Sequence, residues 1–366
     1  MKKEINYKNI IRCSANSIGS GQIVGGSAPG TVTMTHLAQV PEDRAVSARP
    51  RVLPGRSCGS LAAPMRNLRV ALAQIAPKLG DTAANLTLHL DTIEAARRDG
   101  ADLVVFPELS LTGYLLKDQV PEVASSLESP EIQRLAKASR SVDVLVGFVE
   151  EASGHRFYNA AVFFSNGEPV HVHRKVYLPT YGMFDEGRDF AAGDRIRAFD
   201  APFGPGGVLI CEDMWHPTTA WLLAQQGAEV LFVPSSGPSR GARRGRGITS
   251  VAVWHDLAKV TAQLQTAFVV YVNRVGCEDG LIFGGGSVAV DPFGRTIAAL
   301  PALDAETTVV ELDAEVLRRA RTAYPLLRDD DLDLVHRELG RLRAERYDLP
   351  EEALEESSRG RRRAEP

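Results

Sequence analysis

From residue 66 onward the chain alternates short apolar runs with amphipathic stretches. The runs LRVALAQIAP, ADLVVFPE, DVLVGFVEE, NAAVFFSNG, EPVHVHRK, GGVLICED, EVLFVPSS, AFVVYVNRVG, GSVAVDPFGR and TTVVELDAE all read as β-strands. Between several of them the pattern turns helical. Residues 85–99 place Leu86, Leu90 and Ile93 on one face, and 130–142 and 218–227 do the same. The alternation predicts one α/β domain over residues 66–315. Residues 1–65 lack any persistent period, are rich in Gly, Ser, Pro and Arg, and hold only Glu4, Glu42 and Asp43 as acids. They are expected to form a poorly ordered extension. It reads either as a transit peptide without a convincing amphipathic helix or as the product of an upstream start codon, with Met65 just before the first strand. Residues 316–366 carry mixed charges, as in RDDDLDLVHRELGRLRAERYD, and predict an exposed helix followed by a frayed tail.

Composition narrows the function classes. A hydrophobic content of 44% with 24% charged residues fits a globular chain with a full core. The net charge of -4 gives no bias toward nucleic acid, and no apolar run is long enough to span a membrane. The expected partners are therefore small molecules or other subunits. Cys13, Cys58, Cys211 and Cys277 are too widely spaced for a CxxC metal site and too few for a disulfide framework, which points to a reducing cytoplasm.

Three strands deliver reactive side chains at their carboxyl ends: Glu108 after DLVVFP, Lys175 after EPVHVHR and Cys211 after GGVLI. Open α/β sheets bind ligands in the crevice beyond those ends, so the three can meet although they are far apart in sequence. A nucleophilic thiol wants a base to take its proton or a cation to favour its anion, and Glu108 and Lys175 supply one of each. The loop VYLPTYGMFDEGRDF mixes Tyr177, Tyr181, Phe184 and Phe190 with Asp185, Glu186, Arg188 and Asp189. It reads as a pocket wall, with Glu186 a second carboxylate orienting Lys175 or an attacking water, or else as an irregular segment pinned by its own aromatics.

In FPELSLTGY, HRKVYLPTYGMFDEGRDF and LICEDMWHP, taken in that order, the sequence resembles the nitrilase superfamily of carbon-nitrogen hydrolases. Within it, the chain looks most like the glutamine amidohydrolase domain of glutamine-dependent NAD synthetases. The resemblance implies a four-layer α-β-β-α sandwich, commonly paired into a homodimer or higher homo-oligomer. It implies that Glu108 is the general base, Cys211 the nucleophile, Lys175 the oxyanion-stabilising cation and Glu186 the supporting acid. Tyr114 and Tyr181 would line the substrate pocket, and the backbone N–H of Glu212 would complete the oxyanion hole. No metal or organic cofactor is implied. The expected reaction is hydrolysis of a small primary amide, glutamine or an ω-amide, to acid and ammonia through a Cys thioester. Nothing after residue 315 carries the SGGxDS-type loop of the synthetase domain. The alternatives are a nitrile or N-carbamoyl amide hydrolase, a glutaminase subunit feeding a separate synthetase, and a non-catalytic scaffold on the same fold.

Other features read as secondary. Arg240, Arg243, Arg244 and Arg246 form either a solvated loop or a carboxylate-binding arginine site. Gly284 to Gly286 lack the following Lys-Ser or Lys-Thr of a phosphate loop and are read as allowing close approach near the pocket. Cys277 is read as structural, and His216 either as structural or as the partner of Cys211 in a Cys/His dyad.

Overall fold

The computed structural model of the protein describes residues 63–243 and 247–347. Residues 1–62 of the expected extension, and the expected tail from residue 348, lie outside the described residues, but the last residue of that extension, Met65, is buried and donates its N–H to Glu229 Oε2 at 2.8 Å, so the ordered chain begins before the first strand.

Two six-stranded sheets make up the fold. The first contains β1 (Leu68–Gln74), β2 (Leu103–Val105), β3 (Asp143–Ala152), β4 (Arg156–Ser165) and β5 (Glu168–Arg174). The second contains β6 (Phe199–Ala201), β7 (Gly204–Val208), β8 (Val230–Ser235), β11 (Phe268–Asn273), β14 (Val288–Val290) and β15 (Thr296–Ala299). The last strand, β16 (Glu306–Leu312), returns to close the first sheet beside β1. Two small ladders stand outside the sheets, β9 (Ala242–Arg243) with β10 (Gly247–Ile248) and β12 (Val275–Glu278) with β13 (Leu281–Gly284). The long helices are α1 (Thr82–Arg98), α2 (Pro130–Ala138), α3 (Pro217–Gln225), α4 (Thr249–Gln265), α5 (Ala314–Ala323) and α6 (Leu332–Tyr347).

Alternation along the strands sorts the core into three apolar layers, because successive strand side chains point to opposite faces. Leu68, Val70, Leu72 and Leu145 from one sheet meet Val208, Val230, Phe232 and Val270 from the other in the central layer. The intervening Ala71, Ala73, Val144 and Val146 turn outward onto Leu86 and Ile93 of α1 and Ile132 and Leu135 of α2. Leu231, Val233, Val269 and Tyr271 do the same on the far side, against Leu223 of α3 and Trp254, Ala258 and Ala262 of α4. The result is the expected four-layer α-β-β-α sandwich. Every strand and helix predicted from the sequence is present, while α4, the β12–β13 hairpin and the short β6 and β15 were not anticipated. After β16, α5 lays Leu317 into the central layer, whereas α6 buries none of its residues. Among the described residues no helix is long and apolar enough to cross a membrane.

Strand direction positions the site. β1, β2 and β3 are mutually parallel, as are β7, β8 and β11. Because β4 is antiparallel to both β3 and β5, β5 runs the same way as β3. The carboxyl ends of β2 and β5 thus share one edge, and hydrogen bonds from Ser236, just after β8, to Glu108 join that edge to the second sheet.

Candidate active site

Glu108 leaves β2 on a sharp turn. Phe106 still donates its N–H to Leu145 of β3, but Leu109, directly after Glu108, has φ 47. A left-handed backbone is disfavoured for a residue with a Cβ and persists where surrounding structure over-determines it. Here the chain after it is tied down by Leu111 N–H on the Gly147 carbonyl and Gly113 N–H on the Leu109 carbonyl. Gly147 of β3 is a glycine for a steric reason: a Cβ there would stand 2.5 Å from both Pro107 O and Leu109 N.

Cys211 sits on a second elbow. It has φ 48 and opens a short 3₁₀ helix, Cys211–Trp215. Asp213, fully buried in that turn, accepts from the N–H groups of Ile210 at 3.0 Å, Val176 at 3.0 Å and Tyr177 at 2.9 Å, and its other partner is His173 Nε2 at 2.8 Å. One carboxylate therefore locks the Cys211 turn to the segment that follows Lys175. A strained elbow preorients a side chain, and Cys211 on it is half-buried, between the buried Ile210 and the half-buried Glu212.

Lys175 is the centre of the cluster. Its Nζ donates to Glu108 Oε1 and to Glu186 Oε1, each at 2.7 Å, with all three side chains buried. Glu108 Oε1 also accepts from Asn159 Nδ2 at 2.8 Å, and Glu108 Oε2 accepts from the Ser236 N–H at 2.7 Å. Tyr114 O–H donates to Glu186 Oε1 at 2.6 Å, and Ser235 Oγ–H donates to Cys211 Sγ at 3.2 Å. The structure thus gathers Glu108, Lys175 and Glu186 through direct bonds and couples Cys211 to them electrostatically.

Burial opposes the Lys175 charge, but Glu108 and Glu186 outweigh it, so the ammonium holds its proton well above the ordinary lysine range. Lys175 is then a fixed cation and not a base. Burial, followed by the Glu108 charge, pushes the Cys211 thiol up, with Lys175 pulling the other way. In this state the sulfur is neutral at pH 7, and its proton must leave as it attacks. Burial also lifts the Glu186 carboxyl to about 7, against the pull of Lys175 and with Glu108 adding to the rise. One proton can therefore reside on the two-carboxylate, one-ammonium cluster near neutrality.

Of the remaining expected residues, Tyr181 and Glu212 pair with each other. Tyr181 is exposed and donates its phenol O–H to the Glu212 carboxylate at 2.9 Å; burial and then Glu212 push that phenol up to about 12. Phe184 stands edge-on to both Tyr114 and Tyr181, and Arg240 lies 5.1 Å above its ring. The loop thus packs Phe184 and Phe190 into one apolar cluster with Tyr114. Arg244, Arg246 and the Arg243 side chain lie outside the described residues. His216 stacks on Tyr177 with centroids 3.5 Å apart, a packing role. Sequence reasoning missed Asn159, Ser235, Ser236 and the locking role of Asp213. The two serines follow the same strand-end rule that found Glu108 and Cys211, whereas Asn159 lies inside an apolar run and carries no such signal.

The family model for carbon-nitrogen hydrolases matches residues 69–322. An (R)-stereoselective amidase of Pseudomonas sp. is 38% identical over 275 residues, covering 73% of this chain and 93% of the relative. A glutamine-dependent NAD(+) synthetase of Thermotoga maritima is 34% identical over 266 residues, covering 71% of this chain and 45% of the relative. The chain thus spans about half the length of that synthetase. Among solved structures, an amidase variant from Nesterenkonia sp. AN1 with acrylamide added to its active-site cysteine is 25% identical, with a TM-score of 0.60 over 70% of this chain and 97% of the other.

Proposed function

Because the chain belongs to the carbon-nitrogen hydrolase family, we propose that it hydrolyses a small primary amide to acid and ammonia, with Cys211 as nucleophile. The observation that carries this reading is the buried Glu108–Lys175–Glu186 cluster beside a half-buried cysteine on a strained elbow.

The steps follow from the protonation states. Glu108 takes the thiol proton as Cys211 Sγ bonds to the amide carbon, and the carbonyl π pair moves to oxygen. The fixed Lys175 ammonium and the backbone N–H of Glu212 stabilise that oxyanion, an interaction that strengthens only as charge develops. Glu108 then returns the proton to nitrogen, ammonia leaves, and a Cys211 thioester remains. Water, deprotonated by Glu108, attacks the thioester and releases the acid and the thiol. Glu186 holds Lys175 in place throughout, and the hydrogen bonds from Asn159 and the Ser236 N–H hold Glu108.

A second reading, glutamine as the amide, has the synthetase relative in its favour. An ammonia-release assay over glutamine, asparagine, short aliphatic amides, ω-amide keto acids, nitriles and N-carbamoyl amino acids decides between them. The expected result is ammonia from a primary amide class, with no carbon dioxide. Release from glutamine alone favours the glutaminase reading, carbon dioxide from a carbamoyl compound replaces the proposal with carbamoyl hydrolysis, and silence of a folded protein on the whole panel contradicts it.

A further inference from the structure

We propose that the buried pair Arg274–Glu278, outside the reacting cluster, is a positioning device for it: by clamping the backbone of Tyr114 it fixes the phenol that holds Glu186 against Lys175. This rests on the reading of the cluster given above.

Arg274 and Glu278 are both buried and ion-paired at the hairpin of β12 and β13. A buried ion pair is by itself weak evidence of a stabilising role, since apolar side chains of similar volume often serve as well. This one is turned to further use. The remaining acceptor capacity of Glu278 goes to two successive loop amides, Tyr114 N–H at 3.0 Å and Leu115 N–H at 2.9 Å. The loop approaches so closely that a Cβ on Gly113, which has φ +84, would stand 2.9 Å from Glu278 Oε1. The guanidinium of Arg274 lies 4.2 Å over the Phe283 ring, donates to the Pro77 carbonyl at 2.9 Å, and Phe283 in turn stands edge-on to the Tyr114 ring at 6.0 Å. The pair therefore holds Tyr114 by its backbone and its ring at once. Burial, then Glu186, keeps the phenol protonated far above neutrality, so it is a donor over the whole working range. That donor ends on the same Glu186 oxygen that accepts from Lys175.

The titratable and charged groups facing Glu186 are Lys175, Glu108 and Tyr114, with Cys211 beyond them. A lost donor makes a carboxylate keep its proton to higher pH. The test follows iodoacetamide alkylation of the full chain, read at the Cys211 peptide by mass spectrometry across the neutral range. The wild-type rate should show an inflection near 7 from Glu186. Tyr114→Phe is expected to move that inflection upward by roughly half a unit or more. Glu278→Gln should move it the same way, and combining the two should add nothing. Glu278→Asp keeps the charge opposite Arg274 but falls short of the loop amides; it should give the same shift and decides the matter if Glu278→Gln does not fold. An inflection unmoved in a folded Glu278 variant, or shifts that add to those of Tyr114→Phe, overturns the proposal. Wild-type ammonia release is measured in parallel: its absence counts against the amidase reading, while the alkylation profile still decides on the positioning role.

Discussion

Replacing Cys211 with alanine is expected to lower kcat/KM for the amide substrate by roughly 10⁴-fold or more while leaving the fold intact. Without sulfur there is no thioester route, and only substrate binding and the oxyanion donors remain to act on water. The fold should persist because the turn is held by Asp213, through four bonds that do not involve the thiol. Alanine accepts the left-handed φ of 48 no worse than cysteine does. Ammonia release and thermal melting check the two halves; activity surviving in a folded variant would move the nucleophile elsewhere.

Lys175→Met is expected to damage both function and stability. Function should fall by about 10²-fold to 10³-fold in kcat, since one fixed oxyanion donor is removed. Stability should fall by about 3–5 kcal/mol near neutral pH, because Glu108 and Glu186 would be left buried without their shared cation. The sign of its pH dependence follows from Glu186. Its carboxyl is already raised to about 7 in the folded protein, so the stability it contributes is full below the unfolded carboxylate value and is lost as pH rises through about 7. Without the ammonium that holds it down, the rise is larger and the alkaline loss deeper. The melting temperature of Lys175→Met should therefore lie closest to wild type in mild acid and fall furthest behind above neutrality. A gap that does not change with pH would show that the cluster is not charged as described.

Much of this was legible in the chain, for identifiable reasons. Strands such as β3, β8 and β11 are short, apolar and β-branched, so local pattern and tertiary burial agree. Glu108, Lys175 and Cys211 lie within three residues of the ends of β2, β5 and β7, and one topological rule, that ligands gather beyond carboxyl ends, brings them together. Helix α4 was hidden because it carries Val251, Val253 and Val260 and directly follows the Arg- and Gly-rich loop; its burial of Trp254, Ala258 and Ala262 overrides weak propensity. The β12–β13 hairpin carries little signal beyond its glycines, and the close approach at Gly285, just past β13, is to Val275 and Gln74, whose side chains a Cβ there would meet. Asn159 and the Arg274–Glu278 pair had no local signal, since their roles are fixed by partners that pair with them only in the fold: Glu108 for Asn159, Tyr114 and Phe283 for the pair.

The central claim is that a covalent bond forms between Cys211 and the acyl part of an amide. The most direct measurement is the mass of the intact protein, acid-quenched during turnover of the best amide in the panel, followed by peptide mapping. The expected result is an increment equal to the acyl group, located on the Cys211 peptide and absent from Cys211→Ala. Ammonia released in turnover with no such increment at any quench time, or with the increment on another residue, would contradict it.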